Sequence, residues 1–262
     1  MRLNKGQWIS IALFAGLFLI LYLGFDTRSK EQKALVKSRA QNLEIININR
    51  LISDAKSRLP GAVFSKIQSL EEHLESANND SLKLYCLEQL ASLYYKESQA
   101  LISGHYAKLI AEQNQGDAGS WAISGTTFAI AAKQLDDENE LKYAVQESRK
   151  AFESALSIDP EDISSRINLA LSYVDFPVQD NPMKGVLMLL ELNRQYPENA
   201  SVLLQLGRLA LGTNQYDKAV ERLTKVLQLQ PDNKEAHCLL ADVYARMGNQ
   251  QKANTEIEIC NS

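Results

Sequence analysis

The chain has 262 residues, of which 45% are hydrophobic and 23% charged, so it is long enough to bury a substantial core. Its 12 glycines and 6 prolines are few for this length, which favours an all-helical protein. The net charge of −4 is unevenly spread: residues 26–60 hold eight Lys or Arg and four Asp or Glu, whereas residues 61–262 carry −10, which argues against a nucleic-acid-binding domain.

The N-terminus predicts a membrane anchor. After a short polar tail, residues 1–7, the segment 8–25 contains no charged residue. As a helix it would span roughly 27 Å, close to the thickness of a bilayer core. The alternatives are a buried helix of a soluble protein and a cleaved signal peptide, but the apolar run is longer than a signal-peptide core and no small-x-small cleavage site follows it. We therefore expect an uncleaved, single-pass transmembrane helix at 8–25.

The charges around this segment leave the membrane side of the remaining chain open. Two basic residues precede the anchor, and five follow it closely: Arg28, Lys30, Lys33, Lys37 and Arg39. The positive-inside rule then places the bulk of the chain in the cytoplasm. However, a short basic tail before an apolar run is also how exported proteins begin, and long domains translocate largely regardless of charge.

Two helical segments are predicted next. Residues 26–60 are basic in their first half and richer in apolar residues in their second half. They predict a juxtamembrane helix, which either rests on anionic headgroups or forms a solvated neck. Pro60 and Gly61 break this helix. Residues 61–83 are expected to form a helical cap on the domain that follows.

Residues 200–233 form a 34-residue unit that predicts two short helices and a stop. Apolar residues recur at helical spacing in both halves, a turn is predicted at 212–216, and Pro231 ends the second helix because it lacks an N–H donor. Small residues at Gly207 and Ala219 would let the two helices approach closely. This unit resembles a tetratricopeptide repeat (TPR), a helix–turn–helix unit of the same length.

Similar units surround it, as expected, because one unit cannot bury its own apolar face. The units 163–199 and 118–162 carry three and eleven extra residues, which we place around 176–177 and in 134–141. The most N-terminal unit lacks the terminal proline. The resemblance implies an α-solenoid of five TPR units over residues 84–262: 84–117, 118–162, 163–199, 200–233 and 234–262.

The three cysteines, Cys86, Cys238 and Cys260, form no CxxC or Cys/His motif. Each falls at an apolar helical position, so we expect each to be a small packing or groove residue. An odd number of cysteines gives no disulfide framework.

No catalytic constellation is visible in the sequence. It contains no GxSxG, Walker or GxGxxG motif. His73, His105 and His237 lie far apart and are expected to be surface or packing residues. The carboxylate runs at 71–72 and 136–138 are expected to be solvated charges. We therefore expect no enzymatic activity, no metal and no cofactor.

The remaining candidate surface is the concave groove, whose wall the TPR resemblance assigns to the first helix of each unit. The residues expected to bind a protein or peptide there are Ile167, Leu171, Leu204, Arg208, Leu211, Asp242 and Arg246. The middle of this wall is apolar, which suits an apolar or amphipathic segment. Of the positions that clamp a carboxylate in chaperone-binding TPR proteins, only Arg208 could serve, so that activity is not implied. Alternatively, an insertion, a neighbouring helix or a second subunit fills the groove.

The chain thus resembles bacterial membrane-anchored TPR proteins. This implies a membrane-tethered adaptor or scaffold that binds a protein or peptide segment. The alternative is an anchored accessory or chaperone-like factor for envelope protein assembly or cytochrome c-type maturation. Such proteins often place their repeats in the periplasm, so we expect the bacterial inner membrane with a slight preference for that side. The C-terminal edge, with Ile257, Ile259 and Cys260, is expected to fray, or to pack on a partner or on a second copy.

Overall fold

The computed structural model describes residues 46–261, and within this range the chain forms twelve helices joined by turns. The helices are α1 (Ile48–Lys56), α2 (Gly61–Ser76), α3 (Asp80–Lys96), α4 (Ala100–Gln113), α5 (Ala118–Ala132), α6 (Glu138–Ile158), α7 (Ile163–Asp175), α8 (Lys184–Gln195), α9 (Ala200–Gly212), α10 (Tyr216–Leu229), α11 (Lys234–Arg246) and α12 (Gln250–Asn261). The prediction of an all-helical protein is confirmed for this range.

From α3 onward the helices pack as antiparallel hairpins: α3 with α4, α5 with α6, α7 with α8, α9 with α10 and α11 with α12. Each hairpin also packs on the next, and the first helices of some neighbouring hairpins meet, α5 on α7 and α9 on α11. Because every helix contacts only elements close to it in sequence, the arrangement is that of an α-solenoid.

The first helix of each hairpin begins at a side-chain cap. In every case an Asn or Asp accepts a hydrogen bond from a backbone N–H of the first turn, which satisfies one of the donors that a helix start leaves unpaired. These caps are Asn79, Asp117, Asp162, Asn199 and Asn233.

The turn inside a hairpin repeats a second local feature. Helix α9 ends at Gly212 and α10 begins at Tyr216, and between them Asn214 adopts a left-handed backbone with φ of 58°. Ser98 and Gly248 occupy the equivalent turns of two other hairpins with φ of 59° and 78°. A left-handed residue therefore reverses the chain at each of these three points.

Two glycines set how closely helices approach. A Cβ atom on Gly207 would lie 2.8 Å from Leu223 Cδ2, and one on Gly185 would lie 2.6 Å from the backbone nitrogen of Val174. Ala219, on the facing helix of the first pair, is fully buried. The close approach expected at Gly207 and Ala219 is therefore present, and the α7–α8 approach at Gly185 is tighter still because it meets backbone.

The core is distributed along the stack. Five clusters of buried apolar residues follow one another, and several of them join one hairpin to the next. In the cluster nearest the C-terminus, Leu203, Leu223 and Leu240 come from α9, α10 and α11. Neighbouring hairpins are thus held together by shared side chains.

The N-terminal predictions are only partly covered. The anchor expected at 8–25 and the basic half of the 26–60 segment lie outside the described residues. The break expected at Pro60 and Gly61 separates α1 from α2, and α2 packs on α3. None of the helices within 46–261 is both long enough and apolar enough to cross a membrane.

Two expectations need correction. Helix α6 has 21 residues, whereas α4, α8, α10 and α12 have 14, 12, 14 and 12. Most of the excess expected in 134–141 therefore lies in this helix, because the sequence of α6 contains no glycine or proline that would end it earlier.

The second correction concerns the cysteines. Cys238 and Cys260 form a disulfide between α11 and α12, with their Cα atoms 5.0 Å apart, and only Cys86 is a free, buried thiol. The expectation that all three are packing residues was wrong for two of them. Their separation of 22 residues forms no motif, and it is the antiparallel packing of α11 on α12 that brings them together.

Candidate functional site

The predicted groove residues fall into two groups. Three of the four apolar ones, Ile167, Leu204 and Leu211, are buried in the clusters that join neighbouring hairpins, so they present little surface to a ligand. Leu171 is only partly buried and lines a small cavity. That these residues bind a protein or peptide stays a prediction.

The charged members of the group are engaged with neighbours. Arg208 on α9 forms an ion pair with Glu235 on α11, and Arg246 donates to Asp242 within α11 with an Nε–Oδ1 distance of 2.8 Å. This C-terminal part of the wall is therefore polar, and its charges are paired. Arg208 would have to leave Glu235 before it could hold a partner's carboxylate.

An open region of the wall lies nearer the N-terminus, at what we call the α3–α5 cleft. It is a cavity of about 630 Å³ between α3, α4 and α5. Its lining is largely apolar or hydroxyl-bearing, with charges at the ends: Glu88, Ala91, Ser92, Tyr95, Lys96, Ser103, Ala107, Ile110, Asn114, Asp117, Ser120, Ile123 and Thr127.

Two large side chains stand on opposite sides of this cleft. Tyr95 on α3 is 50% exposed and Ile123 on α5 is 64% exposed. These two exposed side chains give the cleft an accessible apolar surface. Covering that surface with a partner removes it from water, which favours binding.

Tyr95 and Ile123 were both absent from the sequence-based site, although the sequence contained a signal for Tyr95. The groove positions that the TPR resemblance assigns are the second, fifth, ninth, twelfth and thirteenth of each unit. Applied to 84–117, the last four of these positions are Glu88, Ser92, Tyr95 and Lys96, and all four line the α3–α5 cleft.

A second, smaller cavity continues the same wall. It holds about 180 Å³ between α5, α6 and α7, and Thr126, Ile130 and Leu171 contribute to its lining. Lys133 and Asp175 pair beside it, with Nζ and Oδ2 2.8 Å apart. Helix α5 lines both cavities, so the open groove runs along α3, α5 and α7.

Behind the groove, polar contacts lock hairpins together. Glu147 is buried on α6, where Lys108 Nζ and Lys150 Nζ lie 2.6 Å and 2.7 Å from its carboxylate oxygens. Burial raises the pKa of Glu147, but the hydrogen bonds and charges of the two lysines outweigh it, so the pKa lies below its ordinary value. This carboxylate stays ionised and joins α4 to α6.

Arg149, also on α6, joins this helix to the next hairpin. Its guanidinium donates to the carbonyl oxygen of Ser172 at 2.8 Å and to that of Phe176, which satisfies the C-terminal end of α7. It also lies 3.9 Å from the centre of the Tyr173 ring, and Lys184 lies 3.7 Å from the same centre. These charges serve packing between α6, α7 and α8.

His105 and His237 take part in packing contacts, whereas His73 is exposed on α2. Burial, followed by the charge of Lys108, lowers the pKa of His105. His237 is buried between the Glu256 carboxylate, 2.5 Å from Nδ1, and the Pro231 carbonyl, 3.0 Å from Nε2. Within residues 46–261 no group of three or more His, Cys, Asp or Glu side chains is placed to hold a metal ion.

Comparison with known proteins finds a repeat family over part of the chain. A family model described as TPR repeat matches residues 207–248, which run from α9 through α10 to the turn after α11. This segment of the chain is similar to the TPR repeat. Stacked helical hairpins of this kind form extended surfaces of the type on which repeat proteins bind partners.

One curated relative and several solved structures are similar to this chain. The anaphase-promoting complex subunit CDC16 of Saccharomyces cerevisiae (strain S288c) is 32% identical over 106 residues, which is 39% of this chain. The chain spans about an eighth of that relative, 12% of its length.

Among solved structures, MamA 41-end from Desulfovibrio magneticus RS-1 is 16% identical, with 71% of this chain and 96% of that chain covered and a TM-score of 0.47. MamA AMB-1 is 18% identical, with 70% and 92% covered and a TM-score of 0.41.

Proposed function

We propose that this chain is a membrane-tethered adaptor that binds an apolar or amphipathic segment of a partner protein in the groove along α3, α5 and α7. The observation that carries the proposal is the α3–α5 cleft, an open cavity of about 630 Å³ between the exposed side chains of Tyr95 and Ile123. The large apolar residues that were predicted for the groove are mostly buried, so the cleft is where a partner finds accessible apolar surface.

The chemistry of the cleft selects the partner class. Ala91, Ala107 and Ile110 supply apolar lining, while hydroxyl groups line the cavity between them and can accept or donate hydrogen bonds. Full burial of a large apolar side chain contributes roughly 1.5–3 kcal/mol, so covering the exposed parts of Tyr95 and Ile123 contributes about 2 kcal/mol in total. A segment with a few apolar anchors matches this surface better than a charged one.

The tether rests on the apolar segment 8–25. An anchor confines the groove to the neighbourhood of the membrane and so raises its effective concentration for membrane-bound partners. The Cys238–Cys260 disulfide supports an oxidising compartment for the repeats, because such bonds persist outside the cytosol and are rare within it. We therefore propose that the repeats lie on the periplasmic side of a bacterial inner membrane.

A reporter that is active only outside the cytoplasm, fused after Ser262, tests this location. Activity supports the periplasmic assignment. A silent reporter, together with activity of a cytoplasmic reporter at the same position, would contradict it and leave the disulfide without an oxidising environment.

Binding is tested by co-purification of partners with the full-length chain. The Ile123→Asp variant places a charge in the cleft and should lose a stoichiometric folded partner that the parent chain retains. Thr224→Asp is the matched control, since Thr224 is exposed on α10, away from the cleft. Retention of the partner by Ile123→Asp contradicts the proposed site, and recovery of many unfolded clients in place of one partner indicates a chaperone-like factor.

A further inference from the structure

Helix α8 carries an exposed apolar stripe on its outward face. Met183, immediately before the helix, and Leu187 and Leu190 within it are 53%, 54% and 41% exposed. The exposed positions in the body of α6 and α10 are polar instead, among them Lys142, Lys150, Glu153, Asp217, Lys218 and Glu221. The exposed large apolar residues of α6 and α10 are confined to their last positions, Ile158 and Leu229, so among these three helices only α8 carries an exposed apolar stripe.

Charged residues of opposite sign lie at the two ends of the stripe. Met183, at the N-cap, and Leu187, Leu190 and Arg194 within α8 follow one another at intervals of four, three and four residues, which is the spacing of one coiled-coil seam, and Asp180 lies in the turn just before the helix. Asp180 lies exposed in the turn that leads into α8, and Arg194 lies exposed in the last turn of the helix. We call these five residues the α8 seam.

We propose that the α8 seam is a homodimer interface in which α8 packs antiparallel against α8 of a second copy. With the leucines of both copies at the centre, this arrangement brings Arg194 of each copy beside Asp180 of the other. A parallel arrangement would instead set like charges against each other at both ends. The seam is thus self-complementary about a two-fold axis, as an isologous interface requires.

The present partners of the seam residues leave this exchange open. Arg194 forms an ion pair with Glu191, one turn earlier on the same helix, with Nη2 and Oε2 2.6 Å apart. An exposed pair of this kind contributes little to stability, so Arg194 can turn to a new carboxylate at small cost. Among the described residues 46–261, Met183, Leu187 and Leu190 each keep more than two-fifths of their surface exposed to solvent.

A shallow cavity beside the stripe enlarges the apolar surface. It holds about 470 Å³ along α7 and α8, and Leu187, Met188 and Leu192 line it together with polar residues. Leu187 therefore belongs to both the stripe and the cavity wall. A flexible side chain such as Met183 of the second copy is suited to fill an irregular space of this kind.

The other candidate for self-association, the C-terminal edge, has a less suitable geometry. Ile257 and Ile259 are both exposed on α12, but residues two apart in a helix point to nearly opposite sides. They form no continuous stripe. The α8 seam also lies on a second helix of a hairpin, away from the groove along α3, α5 and α7, so a dimer would carry two free grooves.

The seam is short, so the dimer is expected to be weak and reversible. Three apolar side chains per copy bury much less than the roughly 1,600 Å² of a standard interface. Cross-linking in membranes that contain the full-length chain suits such an equilibrium. Leu187→Cys places a thiol at the centre of the seam, while Cys86 is buried and the other two cysteines are joined.

A short bis-maleimide should convert the Leu187→Cys chain to a covalent dimer and leave the control, Thr224→Cys on the exposed face of α10, monomeric. In the Leu187→Cys background, Asp180→Arg alone or Arg194→Asp alone should lower the dimer yield about tenfold, since each turns both end pairs into repulsions. The double charge exchange should restore it. All of these positions are exposed, and circular dichroism checks that each variant remains helical.

Two results would overturn the proposal. One is equal dimer yield from Leu187→Cys and Thr224→Cys. The other is a dimer whose yield ignores the single charge reversals or is not restored by the double exchange, since either would exclude the antiparallel pairing of Asp180 with Arg194.

Discussion

Removal of the Cys238–Cys260 disulfide should release the last helix of the stack. Within α12 only Ala253 is buried, so the helix has little apolar packing of its own. It is held to α11 by the disulfide and by the contact between His237 and Glu256. A chain with both cysteines replaced by serine lacks the covalent link but keeps the other contacts.

The size of the effect follows from the loop that the disulfide closes. Its two cysteines are 22 residues apart, and for a loop of this length the chain-entropy relation gives about 3 kcal/mol of stabilisation. A loss of that size raises the equilibrium constant for the opening of α12 more than a hundredfold. Because α12 contacts only the end of the stack, the loss should be confined to this helix rather than spread over the repeats.

Backbone hydrogen exchange measures this opening directly. In the Cys238→Ser/Cys260→Ser chain, the amides of α12 should exchange on the order of a hundred times faster than in the parent. The amides of α9, two helices before α11, are the internal control and should not change. Titration of the unfolded but unreduced parent should find one free thiol, that of Cys86. Three free thiols, or equal exchange of α12 in both chains, would refute the reasoning.

Three further predictions concern packing and charge. Gly185→Ala should lower stability by about 3 kcal/mol in urea unfolding because its Cβ would meet the backbone of α7, whereas Gly212→Ala, with open space around the new atom, should be neutral or slightly stabilising. Burial lowers the pKa of His237, but its hydrogen bonds and the nearby carboxylates outweigh burial, so the pKa is raised overall. The contribution of His237 to folding stability is therefore complete below about pH 6.5, its unfolded-state pKa, and is lost as the pH rises through the folded-state pKa. Hydrogen exchange of α12 across this range should therefore quicken with pH beyond its intrinsic trend, and His237→Asn should remove that excess. Lys108→Met should cost about 2–3 kcal/mol at neutral pH because it removes one of the two cations that neutralise buried Glu147, and the deficit should shrink in acid, as the carboxylate is protonated.

Features that depend on neighbouring residues in sequence were predictable. Pro231 ends the second helix of its hairpin, and the turn expected at 212–216 lies between α9 and α10. The break at Pro60 and Gly61 also separates two helices. In each case the residue type acts on its own backbone, so no knowledge of the tertiary arrangement is needed.

Features that depend on contacts between helices were not predictable in the same way. Cys238 and Cys260 sit at ordinary helical positions, and only the packing of α11 on α12 makes them a pair. Arg208 has no acidic neighbour at helical spacing on α9, and its partner Glu235 comes from another hairpin. The repeat spacing placed extra residues in 134–141, but spacing alone does not say whether they extend a helix or a loop, and the structure gives most of them to α6.

The binding groove shows the same division. Its general place, along the first helices of the hairpins, follows from the repeat register. Which residues stay accessible depends on how closely adjacent hairpins pack: Leu204 and Leu211 are covered, while Tyr95 and Ile123 beside a wider gap are not. The register assigned Tyr95 to the wall, but only the structure distinguishes the open stretch from the closed one.

Site-specific photo-cross-linking from the groove tests the central claim most directly. A photoreactive residue at Ile123 of the full-length chain, activated in native membranes, should capture one predominant partner protein. The product should disappear when Tyr95→Asp is added, and the same probe at Thr224 on α10 should not form it. Failure of the Ile123 probe to capture a protein, or equal capture from Thr224, would contradict the account of this chain as an adaptor that binds its partner in the α3–α5 cleft.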